Sequence, residues 1–198
     1  MMIVETILST ISADGIVNFA PIGIHIPNVD LGCAHLNQFV LRLYAGSRTY
    51  ENLRTVREGV VNFTNDVLAF VETGLYSGCP PYLPSQKVRP PGMAYAGETW
   101  EFTVTHFDSA IEPALVQGEI VHREQKKGST GFCRAQGAVL EAAIAATRWQ
   151  YLPVEKITSL WPVWLEIVKK TGGQREWEAF NKVSLFLSAR GIKVPGVF

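Results

Sequence analysis

The chain has 198 residues, 47% of them hydrophobic, and its 18 basic and 18 acidic side chains cancel. That much apolar area can offset the entropy of ordering one compact domain with an elaboration, so global disorder is excluded. No run of Lys and Arg suits a phosphate backbone, no apolar run is long enough to span a bilayer, and no basic leader precedes Ile3-Val4-Glu5-Thr6, so neither nucleic acid nor membrane is an expected partner and a cytoplasmic location is.

From Ile3 to Ser12 and from Ile16 to Ile26 the chain is rich in Ile, Val, Thr and Phe, and Ala13-Asp14-Gly15 joins the two runs. Asp-Gly between such runs predicts a hairpin, because both residues tolerate positive φ. A third strand is expected over Gln38 to Tyr44, where Phe39, Leu41 and Leu43 alternate with Val40, Arg42 and Tyr44, putting Arg42 and Tyr44 on one polar or solvent-facing side. Ser47-Arg48-Thr49 then opens a helix expected to reach about Glu58, with Tyr50, Leu53 and Val56 as its buried stripe and Gly59 as its closing residue. Val60 to Thr64 reads as a strand, and Asn65-Asp66 as the cap of a short helix over 67–73.

The stretch from Gly74 to Gly97 is dense in Pro, Gly and Tyr and has no periodicity, which fits either a lid or an ordered surface crossover. Beyond it Trp100, Phe102, Val104 and His106 alternate with polar residues, and Leu115 to Arg123 gives a last strand. The remainder reads as helical. Phe132, Ala135, Val139, Ala143 and Ala146 mark one face of a helix from about Gly131 to Arg148, Pro153 begins another stretch that Pro162 interrupts or restarts, and Gly172-Gly173 precedes a helix bearing Trp177, Phe180, Val183 and Leu187. Trp161, Trp164, Trp177 and Phe180 are expected in the core of this helical part or at a subunit contact.

Cys33, Cys79 and Cys133 are odd in number, scattered and without Cys-x-x-Cys spacing, and His25, His35, His106 and His122 lack metal-ligand spacing, so reduced thiols and no metal are expected. The dinucleotide-binding, P-loop and hydrolase-elbow patterns are missing from the sequence. What remains is one local cluster: Arg42-x-Tyr44 on a strand, then Gly46-Ser47-Arg48-Thr49 at a helix start, with Asn52 one turn in. Hydroxyls, a guanidinium and free amides at a helix N-terminus suit a phosphate. Ser47 or Thr49 would equally serve as an ordinary N-cap.

The order of elements resembles the FMN-binding split-barrel superfamily of flavin-reductase type over about residues 1–125, on three motifs: Asn18-Phe19-Ala20-Pro21-Ile22-Gly23, Thr49-Tyr50-Glu51-Asn52-Leu53 and Val61-Asn62-Phe63. Nearly the whole chain is similar to an uncharacterised prokaryotic family of this barrel with a C-terminal helical addition. The segments that carry this are Glu5 to Gly23, Ser47 to Asn52, Asn62 to Asp66, and Arg134 to Ala143. The resemblance implies a mainly β fold, an antiparallel Greek-key split barrel over 1–125 with a helical subdomain over 126–198 packed on it, bound FMN, and a homodimer. It further implies that Ser47, Arg48, Thr49 and Asn52 hold the FMN phosphate with Arg42 as a second cation. Asn18, Pro21, Ile22 and Gly23 would line the ring, and Asn62 and Thr64 would reach the ribityl chain or ring edge. The loop from Tyr76 to Tyr95 would cover the ring in the partner subunit. Pro21 as a strand breaker, Gly23 as a bulge and Asn62 as a turn cap remain alternatives. The family resemblance brings no established reaction; the phosphate cluster in its barrel context favours a flavin-dependent oxidoreductase that takes hydride from a nicotinamide or deazaflavin-like donor and passes it to an unknown small molecule. Two alternatives stay open: a non-catalytic flavin- or pterin-type binding module, and a barrel with another occupant such as haem or pyridoxal phosphate.

Overall fold

A computed structural model describes residues 2–26, 36–126 and 133–197. Cys33, His35, Gly131 and Phe132 lie outside the described residues. The chain divides into two compact units, Met1–Thr64 with Cys79–Ser129, and Asn65–Gly78 with Thr130–Phe198.

The first unit is a closed antiparallel barrel. β1 (Met2–Ile11) and β2 (Val17–Ile26) form the expected hairpin, and Gly15 takes φ +85° in its turn. β3 (Gln38–Leu43), β4 (Glu58–Phe63), β7 (Glu98–Asp108) and β8 (Ala114–Gln125) complete the circuit in the order β1-β2-β3-β8-β7-β4, and β4 closes it by pairing Ile7 with Asn62, Leu8 with Val61 and Ser9 with Val60. Alternation along each strand sends Leu8, Ile24, Phe39, Leu41, Val61, Trp100, Phe102 and Val116 into one core. α1 (Arg48–Thr55) contributes Tyr50 and Leu53 to that same core, and the Tyr50 ring meets Phe107 edge-on at 5.2 Å.

Two local expectations are corrected here. α1 ends at Thr55 with Val56 as its C-cap, and Arg57, with φ 61°, takes the left-handed position after it. Gly59 instead lies within β4, where a Cβ would come within 2.5 Å of the Phe102 ring, so its missing side chain serves packing and not helix termination. The alternation through Val104 also fails at His106. A register shift between Val104 and His106 turns Phe107 toward the core and leaves His106 exposed.

The stretch after residue 78 is an ordered crossover. A two-stranded ribbon of β5 (Tyr82–Leu83) and β6 (Gly92–Met93) forms in it, and the segment lies on the outer wall of its own barrel. The Ser9 hydroxyl donates to the Pro91 carbonyl (2.6 Å), and Asn62 Oδ1 accepts the Met93 amide (2.7 Å). The buried Glu101 carboxylate accepts three successive amides, those of Gln86, Lys87 and Val88, at 2.9, 2.6 and 3.2 Å. Glu58 accepts the Arg89 amide at 2.9 Å. Each is a partner for backbone that would otherwise depend on water.

The second unit is made of α2 (Val67–Leu75), α3 (Arg134–Thr147), α4 (Val154–Thr171) and α5 (Gln174–Ser188). α2 is capped by the Asp66 carboxylate, which accepts the Leu68 amide at 3.2 Å. Ala135, Ala138, Ala142, Ala143 and Ala146 are buried along α3, and small side chains there let the neighbouring helices approach closely. Trp161 and Phe180 stack at 4.5 Å in the same core, and Trp161 Nε1 donates to the Pro195 carbonyl (2.7 Å), which pins the tail. α4 runs unbroken through Pro162; the exposed proline removes one internal hydrogen bond without ending the helix. No helix among the described residues is long and apolar enough to cross a membrane.

The crowding around Phe102 gives a test of the barrel core. Cβ atoms built at Gly59 and Gly118 would lie 2.5 and 2.9 Å from that ring. Gly59→Ala and Gly118→Ala are each expected to lower stability by about 1–3 kcal/mol in urea unfolding, as overpacking does. In a Phe102→Ala background the Gly59→Ala cost should fall by more than half, a coupling that independent sites would not show.

Candidate functional site

The helix-start cluster and the first hairpin are brought together by side chains. Thr10 and Asn18 face each other across the β1–β2 ladder. Asn18 Nδ2 donates to Thr49 Oγ1 at 3.2 Å, and Asn52 Nδ2 donates to Thr10 Oγ1 at 3.0 Å. Thr10 is fully buried, and Thr49 and Asn52 are nearly so. Asn18, expected to line the ring, thus bonds the helix directly, and Asn52 is engaged with Thr10. Thr10 escaped the sequence reading because a lone threonine on a strand carries no motif.

Ser47 is the N-cap. Its hydroxyl accepts the Tyr50 amide (3.2 Å) and donates to the Tyr44 carbonyl (3.0 Å). The ordinary capping role is thus filled by Ser47, while the amides of Arg48 and Thr49 precede Glu51, the first amide bonded within the helix (to the Ser47 carbonyl, 3.1 Å). Arg48 is exposed, so its charge is available at this end. Glu51, one turn in, is paired with Arg54 at 2.8 Å. Glu112 accepts the Ala45 amide at 3.1 Å and brings a carboxylate to the approach; as an exposed group its repulsion of an anion is screened.

On β2 the alternation separates the ring-lining candidates. Pro21 and Gly23 lie on the outer face, Pro21 opposite Ile7 and Gly23 opposite Glu5. Ile22 is turned inward against the barrel core, and its carbonyl accepts the Thr6 hydroxyl (2.8 Å). Gly23 leaves no room for a side chain, since a Cβ there would meet Ile3 Cγ2 at 2.7 Å. Arg42 is exposed on the outer face of β3 and takes part in none of the ion pairs among the described residues. His25, on β2, pairs with Val40 of β3. Partial burial and then the charge of Arg42 hold the His25 imidazole below its ordinary range.

Asn62 is bonded on all sides by the barrel and the crossover. It is fully buried on the outer wall, and its amide donates toward the Ile7 carbonyl (2.8 Å), Ser9 Oγ (3.2 Å) and the Val60 carbonyl (3.2 Å) while Oδ1 accepts Met93. Its Oδ1 clamps the crossover, and its amide ties β1 to β4. Thr64 stands just past the end of β4, half-buried. In the helical unit a hollow of about 160 Å³ lies between α3 and α4, near Ile144, Arg148, Leu152, Lys156 and Trp164. It is smaller than the usual range for cofactor pockets.

The clamp is testable by proteolysis, since Lys87 and Arg89 are exposed on the crossover. Asn62→Leu strands buried carbonyls and the Met93 amide, and tryptic cleavage after Lys87 is expected to accelerate by roughly tenfold or more with the barrel still folded.

Residues 4–127 match the family model described as the N-terminal domain of a protein of unknown function (DUF447), and residues 133–184 match its C-terminal companion. No curated protein matches the chain. Among solved structures, an FMN-bound DUF447 protein from Methanosarcina mazei is similar at 24% identity and a TM-score of 0.78, covering 93% of this chain and 95% of that one. The 2-nitrobenzoate 2-nitroreductase of Pseudomonas fluorescens is similar at 18% identity and a TM-score of 0.51, covering 62% of this chain and 64% of that one. The nitrilotriacetate monooxygenase component B of Bacillus cereus is similar at 18% and 0.52, covering 69% and 78%. The barrel with its helical addition is the fold these structures share in whole or in part, and the chain belongs to the DUF447 family.

Proposed function

We propose that this chain binds FMN non-covalently, with the phosphate at the start of α1 and the ring over the outer face of the first hairpin. We take it to be a flavin-dependent oxidoreductase acting on a small molecule. The observation that carries the reading is the fastening of α1 to β1 and β2 through Asn18–Thr49 and Asn52–Thr10, which holds an anion-favouring helix start beside the strand that carries Gly23. The fold likeness to an FMN-bound protein of the same family supports it, and so do the reductase and monooxygenase-component names among the other similar structures.

The residues present fit the group. The first-turn amides and the Thr49 hydroxyl suit a dianion, Arg48 adds charge, and the exposed Ile3 side chain packed over Gly23 offers a flat ring an apolar surface. Asn18 and Asn52 act here as positioning residues, since their amides hold the helix and not the ligand. FMN supplies the hydride chemistry when bound, so the chain has only to hold, orient and shield it, with electrons from a nicotinamide or deazaflavin-like donor. A cytoplasmic homodimer belongs to the same reading. It is supported by the exposed free thiol of Cys79 and by Ile3, Tyr44, Leu83 and Tyr95, large apolar side chains exposed on the barrel unit.

Protein purified, incubated with FMN and desalted should retain a visible flavin spectrum; a colourless product rejects the reading. Ser47→Ala combined with Thr49→Ala should raise the Kd for FMN by at least about tenfold and leave that for riboflavin unchanged, because only the former has a phosphate to lose. Equal weakening of both ligands would trace to damage to the helix cap. Anaerobic addition of NADH, NADPH or a reduced deazaflavin should bleach the bound flavin; an oxidised spectrum that survives all three donors points to a passive binder.

A further inference from the structure

Arg42 lies on β3, two residues before Tyr44, whose carbonyl accepts the Ser47 hydroxyl. Inward Phe39, Leu41 and Leu43 fix Val40, Arg42 and Tyr44 on the outer face of β3, and α1 begins beyond Tyr44. Continuing the antiparallel register from His25 and Val40 by two residues sets Gly23 of β2 against Arg42. On the far side of Gly23 is Glu5, whose carboxylate oxygens lie 3.6 and 3.7 Å from where a Cβ would be built. Gly23, with Ile3 packed over it, thus has Glu5 at the facing position of one neighbouring strand and Arg42 at that of the other. The charge of Arg42 is felt at His25, which pairs with Val40 in the direction leading away from Ser47.

This row suits a flat, uncharged heterocycle with both donors and acceptors on its edge better than it suits a dianion, which Glu5 would repel. The pyrimidine edge of a flavin has that character: N1 and O2 accept, and N3–H donates. We propose that Arg42 contacts the N1–O2 side of the bound isoalloxazine and leaves the phosphate to the α1 start. The inference rests on the FMN reading above and assigns a different part of the ligand to this residue. Two-electron reduction with uptake of one proton leaves negative charge on that side of the ring, so a guanidinium there holds the reduced form more tightly than the oxidised one.

The test is Arg42→Gln, a substitution at an exposed position, read with FMN, riboflavin and a redox titration against a reference dye. The expected result is that Kd rises by the same factor for FMN and for riboflavin, and that the reduced flavin loosens about tenfold more than the oxidised. That lowers the midpoint potential by about 30 mV for a two-electron couple. Arg42→Lys should recover part of the potential, since the charge is restored without the planar fork. A Kd that rises for FMN alone, with the potential unchanged, assigns Arg42 to the phosphate and overturns this inference while the FMN reading stands. A wild-type protein that holds neither ligand overturns both.

Discussion

Thr10 and Asn18 face each other on β1 and β2, and each is bonded to a side chain of α1. A buried amide–hydroxyl bond of this kind contributes only about 1 kcal/mol net, but leaving either partner unpaired costs about 1–3 kcal/mol, so the helix is held in one register against the hairpin. The same helix sends Tyr50 and Leu53 into the barrel core. Its position is thus fixed from two sides, by apolar burial below and by polar pairing at its first turn. Every property ascribed to the helix start depends on this: an anion site is useful only if the amides that form it hold still relative to the surface that receives the rest of the ligand.

The outer wall of the barrel is treated differently on its two sides. Around β1, β4 and β7 the chain covers itself with the crossover, and buried Ser9, Asn62 and Glu101 supply the polar partners that its backbone requires. Asparagine suits the middle of this wall because one side chain can satisfy carbonyls and an amide together, which neither Asp nor Leu of similar size can do. Around β2 and β3 the wall carries Pro21, Gly23 and Arg42, more open to solvent.

Much of this was legible in the residues. The hairpin was written in Asp14-Gly15, the capped helix in Ser47, and the buried α3 face in its alanine spacing, because each depends on local backbone preference or on a single period. What escaped depended on distant neighbours. Gly59 reads as a helix terminator until Phe102, far along the chain, is seen to fill the space above it. His106 and Phe107 exchange places because a one-residue shift on β7 reverses the alternation. Pro162 is tolerated because its missing donor falls on the exposed side of α4. In the site, the motif containing Asn18, Pro21, Ile22 and Gly23 was recognisable as a unit, yet strand alternation splits it: Pro21 and Gly23 outward, Ile22 inward, and Asn18 to the helix. Asn62 sat in a recognisable motif too, and only the folded crossover reveals which groups it serves.

The contrast between the two walls bears on how such a protein can change. Residues on the β2 and β3 outer face share a strand with core residues but point away from them, so His25, Val40 or Tyr44 can be exchanged with little consequence for packing inside. A lineage could therefore retune which molecules approach the ring while its thermodynamic margin stays nearly constant. The clamped wall has no such latitude, because each of its polar residues answers to several backbone groups at once.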